Sequence, residues 1–261
     1  MTTITQHFDN MSAFADFCES NVQRWRSNES TCSSNQTWSG ADTLAQAFEF
    51  ARLGTWQCPD VSRFDGAVMA PSTNDAIKRD VYTEDFVGAL ANVPAYVAGL
   101  PMDMYQIERM PSDRRIVRVL LQRNYSSNVD TDLAIDAGVI ILAFLNKLEQ
   151  ETNCTVELDL GCFTKLENKT ESVLTISVKR AGEPLDVSEL AFGLACPAFC
   201  RRLLFRYYET LPANCESRVY GYPQHAPTEL AKQYDLYIPR PTSEERTAPV
   251  LAAIKKYVSK E

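Results

Sequence analysis

Histidine is scarce in this 261-residue chain: His7 and His225 are the only two, far apart in sequence. Imidazole-based acid–base catalysis and histidine-rich metal sites therefore have little to build on. Eight cysteines are present, at 18, 32, 58, 154, 162, 196, 200 and 215, yet none forms a C-x-x-C pair. Zinc sites pair close ligands at two places; here Cys196 and Cys200 are the one close pair, a helical turn apart. The expectation is reduced thiols acting as small buried hydrophobes, with no metal and no cofactor. The ten glycines make no Gly-x-Ser-x-Gly elbow, no Gly-Lys-Ser/Thr phosphate loop and no dinucleotide fingerprint. No apolar run approaches eighteen residues, so no membrane span is expected. Met1-Thr-Thr-Ile-Thr-Gln-His7 has neither a basic start nor a hydrophobic core, which argues against a cleaved signal.

What is present is an ordinary globular composition, with 45% apolar and 23% charged residues and a formal net charge of -8. That charge opposes general attraction to phosphate, although binding depends on the local field. The length suffices for one large domain or two small ones. Apolar residues recur helically from Phe8 to Trp25, and Trp38-Ser-Gly-Ala-Asp opens a second helix to Leu53, with Ser39 as N-cap and Gly54 as stop. Helical bias returns over Thr83 to Leu90, and Pro94 to Pro111 reads as an irregular, packed crossing.

Strands are expected at Arg115–Arg123, Cys154–Phe163 and Ser172–Lys179, the last with one face buried and one exposed. The longest helix pattern runs from Asp132 to Glu151. A further helix runs from about Asp186 or Ser188 to Thr210 and is interrupted by Pro197. Tyr234–Pro239 suits a short strand and Val250–Tyr257 a last helix. The order implies an α/β (or α+β) fold, a mixed sheet covered by helices. Residues 1–100 form a helix-rich N-terminal region and 101–261 an α/β region, packed together as one unit.

The densest chemical signal is Cys196-Pro-Ala-Phe-Cys-Arg-Arg-Leu-Leu-Phe-Arg-Tyr-Tyr208, three arginines and four aromatics in thirteen residues. With 3.6 residues per turn, Phe199, Cys200, Leu203 and Tyr207 face inward. Arg201, Arg202, Phe205 and Tyr208 then point away, with Arg206 on the flank. Arginines that hold phosphates and aromatics that stack on bases make a single-strand binding surface. The competing reading packs the aromatics in the core and leaves the arginines on a solvated rim.

Two more basic groups join the candidate set: Arg114, Arg118 and Arg123 around the first long strand, and Lys255, Lys256 and Lys260 near the end. Buried unpaired charge is expensive, so Arg118 and Arg123 require a solvated edge or partners. Lysines near a helix C-terminus also suit its dipole without any ligand. The three groups make a groove only if folding unites them. Asp130, Asp132 and Asp136 suggest either a magnesium cluster or ordinary helix capping. Glu157 and Asp159 share one face of their strand.

The stretch from Arg115 to Tyr208 resembles part of a von Willebrand factor A domain. Such domains bind metal through Asp-x-Ser-x-Ser at the end of the first strand. Here that place reads Gln122-Arg-Asn-Tyr-Ser126, without the carboxylate, so the resemblance carries no metal site. Across its full length, the helical tryptophan-containing front and α/β second half resemble the single-stranded-DNA-binding RNA polymerase cofactor of N4-like bacteriophages. That resemblance implies a non-enzymatic, sequence-independent single-stranded DNA-binding protein assisting a phage RNA polymerase in transcription, in the host cytoplasm. The alternatives are a protein-interaction module docking on an acidic partner, or an enzyme with an unfamiliar carboxylate metal site.

Overall fold

Strand β5 (Arg115–Gln122) belongs to the larger, five-stranded sheet. Its side chains alternate, with Val117, Val119 and Leu121 buried on one face and Ile116 and Arg118 exposed on the other. The computed structural model describes residues 2–21, 29–32, 36–57, 78–85, 90–91, 93–97, 99, 101, 104–111, 115–151, 154–166, 170–183, 187–211, 220 and 222–259. Helix α5 (Thr131–Glu151) carries the chain from β5 to β6 (Cys154–Lys165), which lies parallel to β5. Asp130 starts that helix by accepting a hydrogen bond from the Leu133 amide at 2.6 Å, so capping accounts for this aspartate. Leu133, Ile141, Leu142 and Leu145 line its buried face, each such side chain stabilising the fold by roughly 1.5–3 kcal/mol.

Strand β7 (Glu171–Lys179) returns antiparallel to β6, and β1 (Thr3–Phe8) adds parallel to β7. Strand β8 (Leu236–Ile238) closes the other side, parallel to β5. The order β1-β7-β6-β5-β8 makes a mixed sheet, and the fold is α/β. Against one face lie α1 (Met11–Ser20), α5 and α6 (Val187–Leu194), with α3 (Leu44–Leu53) stacked outside them. Helix α6 leads into a π-helical turn (Phe199–Leu203) and then α7 (Leu204–Tyr208). On the opposite face, α8 (Thr228–Ala231) and the chain after it set Leu230, Tyr234 and Tyr237 on Leu120, Phe163 and Val173. Helix α9 (Ala248–Val258) packs on β8 and α5. A separate three-stranded antiparallel sheet pairs β2 (Lys78–Asp85) and β3 (Leu90–Ala91) with β4 (Met104–Pro111), and α4 (Val93–Val97) follows β3.

Several expectations change. The first helix starts at Met11, capped by Asn10, because Thr3–Phe8 is a strand. Ser39 ends a short helix, α2 (Gln36–Ser39), and Thr43 caps α3 instead, its side chain accepting from the Gln46 amide. Gly54, at φ 61°, ends α3 as expected. Thr83–Asp85 belongs to a strand, and the crossing after Pro94 holds a helix and a strand. On β7 both faces are covered: Val173, Thr175 and Ser177 are buried as well as Leu174 and Ile176. Among the described residues no helix is long and apolar enough to cross a membrane.

Candidate functional site

The arginine-rich segment folds differently from a regular helix. The Leu204 amide bonds to the Phe199 carbonyl, a π turn. A π turn is wider than an α turn, so residues beyond it rotate out of the 3.6-residue phase. Arg201 and Arg202 both swing into the body, and Tyr207 and Tyr208 are both buried. The expected outward face of Arg201, Arg202 and Tyr208 is therefore corrected.

Each buried guanidinium is held by backbone oxygens. Arg202 donates through Nη1 to the carbonyls of Ser30 (2.9 Å) and Cys32 (3.1 Å), and through Nη2 to those of Ala41 (3.3 Å) and Asp42 (3.4 Å). Arg201 donates to the Trp38 and Val129 carbonyls and to Thr131 Oγ1. Arg123, expected at a solvated end or beside acids, instead donates to the Gly193 and Cys196 carbonyls at 2.6 and 3.1 Å. Arg206 is mostly buried and pairs with Glu209 at 3.1 Å. The Nε atoms of Arg201, Arg202 and Arg206 are buried without a hydrogen-bond partner. Burial lowers the pKa values of Arg201 and Arg202, yet guanidinium stays protonated in proteins.

The remaining candidates do not converge on this helix. Arg118 projects from the opposite sheet face and pairs with Glu157 at 3.4 Å. Lys255 and Lys256 are exposed in the last turn of α9. There Tyr257 meets Phe144 of α5 at 6.4 Å, toward the end of the sheet where β6 begins. Arg114 and Lys260 lie outside the described residues. The three basic groups thus form no common groove among the described residues.

What the fold does assemble is an aromatic cleft at the carboxyl end of β5. Trp38, Phe205 and Tyr222 line it with Ser126 and Ser127, and Arg201 and Tyr208 lie buried beneath. The Arg201 guanidinium stacks 3.9 Å from the Trp38 ring centre. Phe205 lies 6.3 Å from Trp38 and meets Tyr220 edge-on at 4.8 Å. Tyr208 is anchored through its hydroxyl to Thr164 Oγ1 at 2.8 Å. Tyr222 is 68% exposed, so the rim stays wet while the floor is dry. The cleft has about 20 Å³ of free space, which admits the edge of a flat group rather than a whole molecule.

Its position follows from topology. β6 lies on one side of β5 and β8 on the other, both parallel to it, so the cleft sits beyond the carboxyl ends of parallel strands. Open α/β sheets bind ligands outside the carboxyl ends of their strands. The place compared with a metal motif is filled by amides: Asn124 donates to the Phe163 carbonyl at 2.6 Å and accepts from its amide. Among the described residues no group of three or more His, Cys, Asp or Glu could hold a metal ion. The family match spans residues 2–260.

The chain belongs to a family described as a domain of unknown function, DUF7192. No curated protein and no solved structure matches it. For this member of DUF7192, then, the site rests on its own geometry. Sequence reasoning found Arg201, Phe205 and Tyr208 but missed Trp38, Tyr220 and Tyr222. The spacing Tyr220-Gly-Tyr222 is a signal for an exposed aromatic turn; nothing local tells that it returns to the arginine helix.

Proposed function

We propose that the protein is a non-enzymatic binder of single-stranded nucleic acid, DNA first, that seats a base against the aromatic cleft. The observation that carries this reading is the lining of Trp38, Phe205 and Tyr222 above Arg201 at the carboxyl end of β5. Base–aromatic stacking contributes about 1–3 kcal/mol per base without regard to sequence. Phosphate contacts contribute less than the composition of the helix suggests, because Arg123, Arg201 and Arg202 already donate inward. With a net charge of -8, binding should weaken only gently as salt rises, since that slope counts neutralised phosphates. The deciding experiment is anisotropy of a fluorescent single-stranded oligonucleotide across a salt series, with duplex DNA and RNA beside it. Tyr222→Ala should weaken binding about tenfold or more, the loss of one stack. No single-strand binding at low salt, or full affinity in Tyr222→Ala, sinks the proposal.

A role beside a phage RNA polymerase in transcription extends the proposal through the resemblance. A protein-docking reading has support of a different kind from the acidic-partner module expected above: Val93, Tyr96 and Val97 are exposed apolar residues on α4. If Tyr96→Asp abolishes polymerase capture while oligonucleotide binding persists, docking and strand binding are separate properties of the chain.

A further inference from the structure

Among the described residues, the second sheet face carries a polar cleft far from the aromatic one. It lies near the amino ends of β5 and β6, with a free volume of about 260 Å³, and α8's following turn walls it with Gln233 and Tyr234. On its floor, Asp159 accepts from Ser177 Oγ through one oxygen and from the Tyr234 hydroxyl through the other, both at 2.7 Å. These neutral donors leave its negative charge uncompensated by any ion pair among the described residues. A carboxylate offers about four lone-pair sites, so acceptor capacity remains after those two bonds.

The basic side chains around the cleft fall into three kinds. Lys179 is spent inside, donating to Glu149 Oε1 at 2.7 Å and to the Val156 carbonyl at 3.0 Å. Arg118 pairs with Glu157 across adjacent strands. Arg180 and His7 share Asp9 at the rim, at 2.9 and 3.8 Å. Asp9 is 77% exposed and Arg180 53%, and pairs so exposed contribute little. Arg180 can therefore exchange Asp9 for an incoming anion at small cost. His7 also bonds Thr175 through Nδ1 at 3.0 Å, which fixes its ring beside the floor.

We infer that this cleft binds a small dipolar molecule of the α-amino-acid class, its ammonium on Asp159 and its carboxylate on Arg180. The lining carries both signs, which selects against a simple anion or a simple cation. A half-buried, hydroxyl-lined carboxylate suits a compact donor such as –NH₃⁺, and a half-exposed guanidinium suits a carboxylate in bidentate geometry. The site and the aromatic cleft occupy opposite faces and opposite ends of β5, so each can be tested without the other.

The test is equilibrium dialysis of the full chain against a mixture of the common α-amino acids, with retained species identified by mass. N-acetylated amino acids and amino-acid amides serve as probes lacking one charge each. Expected is retention of one or a few free amino acids and of neither derivative. Asp159→Asn and Arg180→Gln should each cut retention about tenfold or more, while Tyr222→Ala leaves it unchanged. Arg180→Gln covers the case in which Asp159→Asn fails to fold, because Arg180 lies at the surface. Retention of nothing, equal retention of the N-acetyl forms, or full retention in both variants overturns the inference. Loss of oligonucleotide binding in Tyr222→Ala with amino-acid retention intact separates this site from the proposed strand-binding one.

Discussion

The arginines of the central segment act as collectors of backbone carbonyls, and that role sets what each substitution does. Arg202 satisfies the carbonyls of Ser30, Cys32, Ala41 and Asp42 and ties those four residues to the π turn. Carbonyls are neutral, so hydrogen bonds offset the desolvation of these cations while their charge stays in place. Glu209 supplies the nearby carboxylate. It is buried and accepts from Arg206 Nη1, from the Ser30 amide at 3.0 Å and from Ser30 Oγ at 2.7 Å. Glu209→Gln keeps the shape but removes the charge, leaving Arg206 mostly buried and unpaired. Breaking a buried pair in this way costs about 3–5 kcal/mol. Urea unfolding measures it, and a loss under about 1 kcal/mol, the scale of a surface pair, would mean that Glu209 behaves as a solvated group.

Helix-to-helix approach decides the packing of α5. A Cβ on Gly138 would sit 2.5 Å from the Leu194 carbonyl oxygen and 2.6 Å from the Ala195 Cβ. Backbone cannot give way like a long side chain, so Gly138→Ala should destabilise by about 1–3 kcal/mol despite alanine's better helix propensity. A thermal midpoint equal to or above that of the parent chain would refute the close approach. The same elements show what a sequence exposes to reading. α5, β5, β6 and β7 were legible because period and composition are local properties, and their order predicted a mixed sheet. β1 was not, since its register is set by β7: His7 pairs with Thr175, far along the chain, and strand preference depends on such context. The aromatic site was legible in half. Phe205 and Tyr208 stand in an obvious cluster, whereas the direction of Arg201 and Arg202 turned on one π-helical hydrogen bond that no periodicity reports.

Across the whole molecule, the same burial that hides the arginines places acids of weak strength in the dry centre. Cys162, Cys196, Cys200 and Tyr125 gather around Arg123 where β5, β6 and the π turn meet, with Tyr208 beside Cys162 and Cys200. Burial pushes the Cys196 thiol up to about 12 from an ordinary 9.0, and it raises Cys162, Cys200, Tyr125 and Tyr208 as well. In the unfolded chain these groups regain ordinary values and lose protons at lower pH. Their contribution is therefore complete below about pH 9 and drains away as pH rises toward the folded-state values. Each group that has titrated only in the unfolded chain lowers stability by about 1.4 kcal/mol per pH unit. Unfolding by urea should thus give a flat stability between about pH 7 and 8 and a fall that steepens above about pH 9, as the thiols and then the tyrosines join. Replacing Cys196 by alanine should flatten the first part of that fall, whatever it does to the plateau. A stability that is level to about pH 11, or a slope unchanged in Cys196→Ala, would place these thiols in contact with water rather than in the core.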